Sequence, residues 1–500
     1  MLSGSLSKAA RAPFSPAFSS QWSLTSTCKR RRHRRRFCNP PGTRSHQYAV
    51  AVNPATDFFT STIPGTAQRT KPIGFDEEPC TLAITDGYGY ARVDIGDRLG
   101  PEDQYEILRK LGWGTYATTW LTFDHQSKKY YALKIVNEYG TFLESNQSLG
   151  PKHPRFHERE ILGRVSSPIK PHSRGAKQCL RLVHSFYTNQ GKAQYLCLVL
   201  ELGGMDLAAL REQVGQDFAL PTDLVKSIVK QLCVALDYLH TECKVVHTDL
   251  KPANILLGLN SREAKRLVNA MLKETSVQRY PPRKIMGETV EAIRSQPLPP
   301  PIDQTDCLSW KFKVADFGSA QWLGRRSANL VQPIRLRAPE VVLGRNWDEK
   351  IDIWSLGCLT YEFITGRTLF RAQGGPTWSE EDDLLANQLE LLSVNQQFPA
   401  YFYQNSKYAT RLLAENGSLK NIPDRMMYPK TLAKALSRHR KVPINTEDNS
   451  EERDLALAFI TRCLSLEPKE RASAKELLRH PWIRNFKAPV RKPQTSKSAD

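Results

Sequence analysis

No stretch of this chain is apolar for long enough to cross a bilayer as a helix, so a helical membrane protein is excluded. Cysteines paired at metal-ligand spacing are also missing. The ten cysteines are scattered, which argues against a zinc site or a disulfide framework and fits a reducing interior where Cys behaves as a small hydrophobe. Acid is missing too, but only locally: residues 1–56 hold ten Lys or Arg and no Asp or Glu. Half of the formal net charge of +20 therefore sits in that opening segment, and a basic balance is not a property of the whole chain. Its core, Cys28-Lys29-Arg30-Arg31-Arg32-His33-Arg34-Arg35-Arg36, reads as a nuclear import signal or an RNA-contacting tail. A second reading is a mitochondrial presequence, because the segment is rich in Arg and Ser and opens on the amphipathic pattern Leu2-Ser3-Gly4-Ser5-Leu6-Ser7-Lys8-Ala9-Ala10-Arg11. The tail has no aromatics interleaved with its cations, so specific nucleic-acid binding is not expected.

What is present is an ordered series of short motifs. Leu111-Gly112-Trp113-Gly114-Thr115-Tyr116-Ala117-Thr118-Thr119 places glycines where missing β-carbons let backbone N–H groups approach a ligand. Tyr131-Ala132-Leu133-Lys134-Ile135 sets one lysine in an apolar strand, where it needs a partner. His157-Glu158-Arg159-Glu160-Ile161-Leu162 offers that partner on a helix: Glu158 by its register with Ile161 and Leu162, or Glu160 as the alternative. Leu196-Cys197-Leu198-Val199-Leu200-Glu201-Leu202-Gly203 reads as a buried strand ending at a hinge. A helix opened by Pro221-Thr222, with Leu224, Ile228, Leu232, Leu236 and Leu239 on one face, leads to Val246-His247-Thr248-Asp249-Leu250-Lys251-Pro252-Ala253-Asn254. Downstream stands Ala315-Asp316-Phe317-Gly318. Asp249, Lys251, Asn254 and Asp316 supply what phosphoryl transfer asks of a protein: a carboxylate beside the incoming hydroxyl, a cation for the phosphates, and oxygen ligands for Mg²⁺.

In this order the motifs resemble the protein kinase family, which implies an α+β, two-lobed fold: a small antiparallel β lobe with one key helix and a larger, mainly helical lobe. The resemblance implies ATP and Mg²⁺ as cofactors. It assigns Asp249, Lys251 and Asn254 to catalysis and Asn254 and Asp316 to the metal. ATP would be held by Leu111, Gly112, Trp113, Gly114, Thr115, Ala117, Thr119, Ala132, Lys134, Glu158, Glu201 and Gly203, with backbone groups of Glu201 to Gly203 on the adenine edge. Arg337-Ala338-Pro339-Glu340, Asp352-Ile353-Trp354-Ser355-Leu356-Gly357 and Pro468-Lys469-Glu470-Arg471 match larger-lobe markers, implying a buried Glu340–Arg471 pair and an Asp352 brace on the catalytic loop.

Within that family the chain resembles the SR-protein kinases, which phosphorylate serines in Arg-Ser repeats of splicing factors. The carriers are Leu-Gly-Trp-Gly in the loop, the lead-in Tyr90-Ala91-Arg92-Val93-Asp94-Ile95-Gly96-Asp97, Thr248 where most kinases carry arginine, and a long insert between Asn254 and Asp316. The segments Asn405-Ser406-Lys407-Tyr408 to Gly417-Ser418-Leu419-Lys420 and Leu478-Arg479-His480-Pro481-Trp482-Ile483 are similar as well. Departures are Ala253 for the usual glutamate, Ala117 for the third glycine, Thr119 for valine, and Pro333 and Leu336 for threonine and tyrosine. The resemblance implies Arg-Ser-rich protein substrates, a monomer, and a nuclear and cytoplasmic location, with the mitochondrion as the alternative. A pseudokinase scaffold is the rival reading.

The expected organisation is a disordered basic extension at 1–85, a kinase domain at 86–486 and a basic tail at 487–500. The domain divides into a small lobe at 86–203 and a large lobe at 204–486. A spacer-like insert at 258–310, helical over Arg262 to Thr275 and then proline-broken, reads as a regulatory or localising appendage. A second insert spans 372–450. Its Glu380-Glu381-Asp382-Asp383 reads either as helix N-terminal charge or as a docking groove for basic substrates. Between Asp316 and Glu340 there is no Thr or Tyr, only Ser319 and Ser327, so activity is expected without activation-loop phosphorylation.

Overall fold

The computed structural model describes residues 77–145, 156–169, 173–285, 288–301, 307–404, 406–422, 426–428, 430–437 and 450–486. The basic opening segment, the basic tail and Asn405 lie outside the described residues. One sheet of six antiparallel strands is built from β1 (Arg98–Leu99), β2 (Tyr105–Gly114), β3 (Ala117–Asp124), β4 (Lys129–Val136), β5 (Leu182–Gln190) and β6 (Ala193–Glu201), in the order β1-β2-β3-β4-β6-β5. Helices α1 (Glu138–Ser145) and α2 (Glu158–Ser166) follow β4 in the chain. The apolar run read as a strand is β6, and Leu196 to Val199 are almost fully buried because both of its neighbours, β4 and β5, pair with it.

The chain then passes through β7 (Gly203–Asp206) and α3 (Leu207–Val214) into the helical lobe. Helix α4 (Thr222–Asp237) presents Leu224, Ile228, Leu232 and Leu236 inward, the four-residue spacing that puts one stripe of a helix into a core. Two short strands, β8 (Val245–Val246) and β9 (Ile255–Gly258), flank the loop that carries Asp249. The insert follows as α5 (Ser261–Glu274) and the hairpin β10 (Arg283–Ile285) and β11 (Glu288–Val290), before β12 (Lys311–Val314) pairs back onto β9 with Lys311 opposite Gly258. After β13 (Gln321–Trp322) come α6 (Pro339–Val342), α7 (Lys350–Thr365) and α8 (Glu380–Leu392). Nearly every side chain of α7 is buried, from Ile351 to Thr365, so it forms the centre of the large lobe. The α+β, two-lobed expectation holds.

Two observations bear on the expected organisation. Residues 77–85, assigned above to the extension, already serve the small lobe. Lys110 is fully buried, and an isolated ammonium there would be costly; Glu77 Oε2 accepts from its Nζ at 2.7 Å and Glu78 completes the pair. The insert, read as a regulatory or localising appendage, packs on the rest of the domain. Helix α5 is capped by Asn260, which accepts from the Arg262 and Glu263 N–H groups, and it buries Leu267, Val268 and Met271. Beyond it the chain lies on the small lobe: Arg109 Nη2 donates to Thr275 O (2.5 Å), Gln296 N donates to Lys110 O (2.8 Å), and Arg279 pairs with Asp94. Ile293 joins Ala91, Tyr105, Ile107, Trp120 and Leu133 in the small-lobe core, with Val277 packed against it. Leu298 then joins the main core, which holds residues of both lobes.

Candidate active site

Two backbone residues in left-handed conformation shape the site. Thr248 has φ +64° and Asp316 φ +60°, conformations disfavoured for residues with a β-carbon, so the surroundings must hold them. For Thr248 the holder is Asp352 on α7. Its Oδ1 accepts from Thr248 N (2.9 Å) and its Oδ2 accepts from His247 N (2.8 Å) and lies 2.9 Å from His240 Nε2. Burial pushes the Asp352 carboxyl up, but the His240 bond and charge and the His247 contacts outweigh it, leaving the group below the ordinary carboxylate value. The brace expected of Asp352 is thus present. Thr248 donates its hydroxyl to Ser319 O (2.7 Å), and His247 packs edge-on against Phe317 while its Nε2 lies 3.1 Å from Ala315 O.

On that loop Asp249, Lys251 and Asn254 form one cluster. Lys251 Nζ donates to Asp249 Oδ2 (2.8 Å), and Asn254 Nδ2 donates to the same oxygen and to Asp249 O, both at 2.9 Å. Burial raises the Asp249 pKa above its ordinary value even though Lys251 opposes it. Lys134 on β4 donates to Glu158 Oε1 (2.7 Å) and to Asp316 Oδ1 (3.0 Å). Burial alone would lower the Lys134 pKa; the two carboxylates outweigh it and keep the lysine charged, while Lys134 in turn holds Asp316 well below the usual range. Of the two candidate partners, Glu158 is the one that meets Lys134; Glu160 turns to His157 instead (3.3 Å).

The expected phosphate loop is the β2–β3 hairpin, closed by Gly114 opposite Ala117, with Gly112 opposite Thr119. Thr119 also lies opposite Lys134, and Ala132 opposite Leu200, so the apolar walls and the lysine share one end of the sheet. Leu111 packs against the main core, and Trp113 is 39% exposed. A β-carbon built on Gly112 or Gly114 meets no protein atom within 4 Å, so these glycines leave space instead of filling a contact. At the expected hinge, Gly203 lies opposite Gly258, and the Glu201 carboxylate is engaged: its Oε1 accepts from Lys313 Nζ (2.8 Å) and Arg181 N (2.9 Å). The Glu201 N–H is used by Arg181 O (3.0 Å), which removes that one donor from the expected adenine contacts.

The protein kinase domain family matches residues 105–269 and 302–483. The chain belongs to that family, on its serine/threonine, SR-protein kinase branch. It is 32% identical to the serine/threonine-protein kinase SRPK of Physarum polycephalum over 410 residues, covering 79% of this chain and 89% of that protein. Protein kinase dsk1 of Schizosaccharomyces pombe is 27% identical over 489 residues, covering 82% and 85%. SRSF protein kinase 3 of Mus musculus is 25% identical over 527 residues, covering 79% and 88%.

A protein kinase uses ATP and, typically, Mg²⁺, and this kinase has residues that fit both. Asp316 and Asn254 offer the hard oxygen donors that Mg²⁺ prefers alongside phosphate oxygens, the Asn254 amide N–H₂ being turned to Asp249. The open space at Gly112 and Gly114 fits phosphates rather than a side chain.

Several working residues of this kinase gave no signal in the sequence. Gln332, buried with φ +68°, donates to Leu336 O, Ile351 O and Ser355 Oγ and accepts from Ala338 N. Gln321 accepts from Ser327 N and Ala328 N. These bonds help fix the segment between Asp316 and Glu340, together with the Arg337 guanidinium on Val331 O and Gln332 O, and only the buried state of the two glutamines, invisible in a composition, distinguishes them from surface residues. Among the four acids on α8, Asp382 is the capping partner of Ser379 and accepts from Asn421, so the helix-end reading accounts for it, while Asp383 accepts from Gln373 N in the chain before the helix.

Proposed function

We propose that this kinase transfers the ATP γ-phosphoryl group to serines of Arg-Ser-rich proteins, with Asp249, Lys251 and Asn254 as catalytic residues and Asn254 and Asp316 as the metal ligands. One observation carries the catalytic part: Lys251 and Asn254 both donate to Asp249 Oδ2, and no described residue donates to Oδ1, which is left for a substrate hydroxyl. That oxygen orients the hydroxyl and takes its proton as the bond to phosphorus forms. Lys251 neutralises charge on the transferring group; Lys134, held by Glu158, positions the nucleotide. When bound, Mg²⁺ supplies further neutralisation of the phosphate oxygens.

The substrate class draws support from the relatives, one of which is named for SRSF proteins. The domain boundaries above, with the start moved back to Glu77, and a nuclear and cytoplasmic location belong to the same proposal. The intact set of phosphoryl-transfer residues gives the pseudokinase reading nothing to rest on.

The test is phosphate incorporation from Mg-ATP into an Arg-Ser repeat peptide, a matched Lys-Ser peptide and an acidic-flanked serine peptide, with Asp249→Asn beside the wild type. Incorporation by the wild type alone, strongest on Arg-Ser, is expected. Equal use of the acidic-flanked peptide would discard the substrate class, and unchanged activity in Asp249→Asn would discard the assigned chemistry.

A further inference from the structure

Helix α1 lies between the phosphate loop and α2, and each of its ends makes a contact that the reaction chemistry does not require. At its start, Asn137 is fully buried. Its Oδ1 caps the helix by accepting from Gly140 N (2.7 Å), while its Nδ2 donates to Thr115 O (3.2 Å) and its N–H donates to Tyr116 O (2.7 Å). The Tyr90 hydroxyl approaches the same loop, 2.7 Å from Gly114 O and 2.8 Å from Thr115 O. In a trans peptide the N–H points opposite to the C=O. With the Gly114 and Thr115 carbonyls held toward Tyr90 and Asn137, the Thr115 and Tyr116 N–H groups are turned the other way.

At the far end, Glu144 Oε2 accepts from Glu158 N (3.1 Å) and Oε1 from Arg159 N (3.2 Å). These are the first two amides of α2, which have no acceptor inside their own helix, and the His157 side chain, in the capping position, does not cap them. A carboxylate from another helix therefore caps the element that carries Glu158. Between the two ends, Thr141 Oγ1 donates to Val136 O (3.2 Å) and accepts from Leu196 N (2.9 Å), fixing α1 to the sheet. Burial, and then the adjacent Glu158 charge, push the Glu144 carboxyl up to about 7, so this position is electrostatically unfavourable for an acid that had only a solvent-facing role.

We propose that α1 is a positioning strut of the nucleotide site: Asn137 fixes the phosphate loop, and Glu144 fixes the helix that holds Glu158 against Lys134. The proposal rests on the kinase reading above. It makes Asn137 and Glu144 positioning residues for ATP and leaves the protein substrate untouched.

The experiment uses the full chain with Asn137→Ser, Glu144→Gln, Glu144→Ala and the Asn137→Ser/Glu144→Gln pair. Serine keeps an acceptor for Gly140 N but is too short to reach Thr115 O; glutamine keeps one oxygen for the α2 amides. Mg-ATP affinity is measured by calorimetry, the KM values for ATP and for the peptide by steady-state rates, and Tm separately. Each single variant is expected to weaken ATP binding roughly five- to tenfold, with the KM for peptide within about twofold of wild type, which a general loss of fold would not produce. Glu144→Gln should be milder than Glu144→Ala, and the double variant should fall short of the product of the singles, because both act through one helix. Folded single variants with wild-type ATP affinity, or a rise in the KM for peptide equal to that for ATP, would overturn the strut. A wild type that binds Mg-ATP but phosphorylates no peptide would overturn the kinase reading instead, and the ATP affinities of the variants would still judge the strut.

Discussion

Asp249 shows how one residue's surroundings set a measurable property of the enzyme. Burial raises its pKa, and Lys251 holds it down only in part. In its proposed role as proton acceptor it must be ionised, so activity is expected to fall as pH drops through that raised value. The acid limb of kcat/KM for peptide is therefore expected above the value of about 4 usual for a carboxylate, and in Lys251→Met, at much lower activity, further up still. The sign for stability is opposite. A carboxyl with a raised folded-state pKa adds stability at low pH that is lost as pH rises through it, so Asp249→Asn should keep or raise Tm at neutral pH while losing turnover. Thr248 gives a second prediction at this scale. It stands where an arginine would receive an activation-loop phosphate, but its hydroxyl is bonded to Ser319 O, and Gln321 already holds the Ser327 and Ala328 amides. With the segment already held by these bonds and by the buried Arg337 guanidinium, which donates to Val331 O and Gln332 O, Ser327→Asp is expected to leave kcat within about twofold; a large rise would show that a charge-operated switch exists after all. Asp249, Lys251, Asn254, Asp316 and Lys134 were legible in the sequence because the chemistry fixes both their type and their order. Glu144 was not, because the amides it meets lie 14 residues on, and no periodic pattern links them.

Among the elements, those with a strong apolar period were the readable ones. Helix α4 and strand β6 could be placed from their patterns, and their burial agrees with the reading. Helix α7 reads less clearly, because it is buried on every side and its apolar pattern has no face. What keeps it in place is partly ionic. Arg471 donates to Glu340 through Nη1 (2.5 Å) and Nη2 (2.7 Å), both side chains wholly buried, while its guanidinium lies 4.8 Å from the Trp354 ring on α7. The expected Glu340–Arg471 pair is therefore present, and it links α6 to the end of the large lobe across α7. Removing one partner leaves the other charge buried and unpaired. Arg471→Ala is expected to lose about 3–5 kcal/mol of stability in denaturant unfolding, and Glu340→Leu/Arg471→Met to recover most of that loss. If the double variant is as unstable as the single, the packing on Trp354 matters more than the charge.

The whole molecule differs from its sequence reading mainly in the course of the insert. Its prolines and the helix Ser261–Glu274 were readable, but not where they go, because the residues that receive them are single side chains far off in the small lobe: Arg109 and Lys110 on β2 and Asp94 before β1. The insert leaves the large lobe at β9, adds Ile293 and Val277 to the small-lobe core, and returns to β12. It therefore ties the two lobes together, and the nucleotide site lies between the parts it ties. Gly258 and Lys311 are neighbours in the sheet, so replacing residues 262–300 with a short Gly-Ser linker closes the chain without strain on the β9–β12 pair. That replacement strips apolar cover from Ala91, Tyr105 and Ile107, and burying one such aliphatic side chain as Ile293 does is worth about 1.5–3 kcal/mol. A lower Tm and a higher KM for ATP are expected together, since a less restrained small lobe must be ordered by the nucleotide itself. If both values stay at wild type, the insert is an appendage resting on the lobe, and the bonds from Arg109 and Lys110 hold it rather than the kinase.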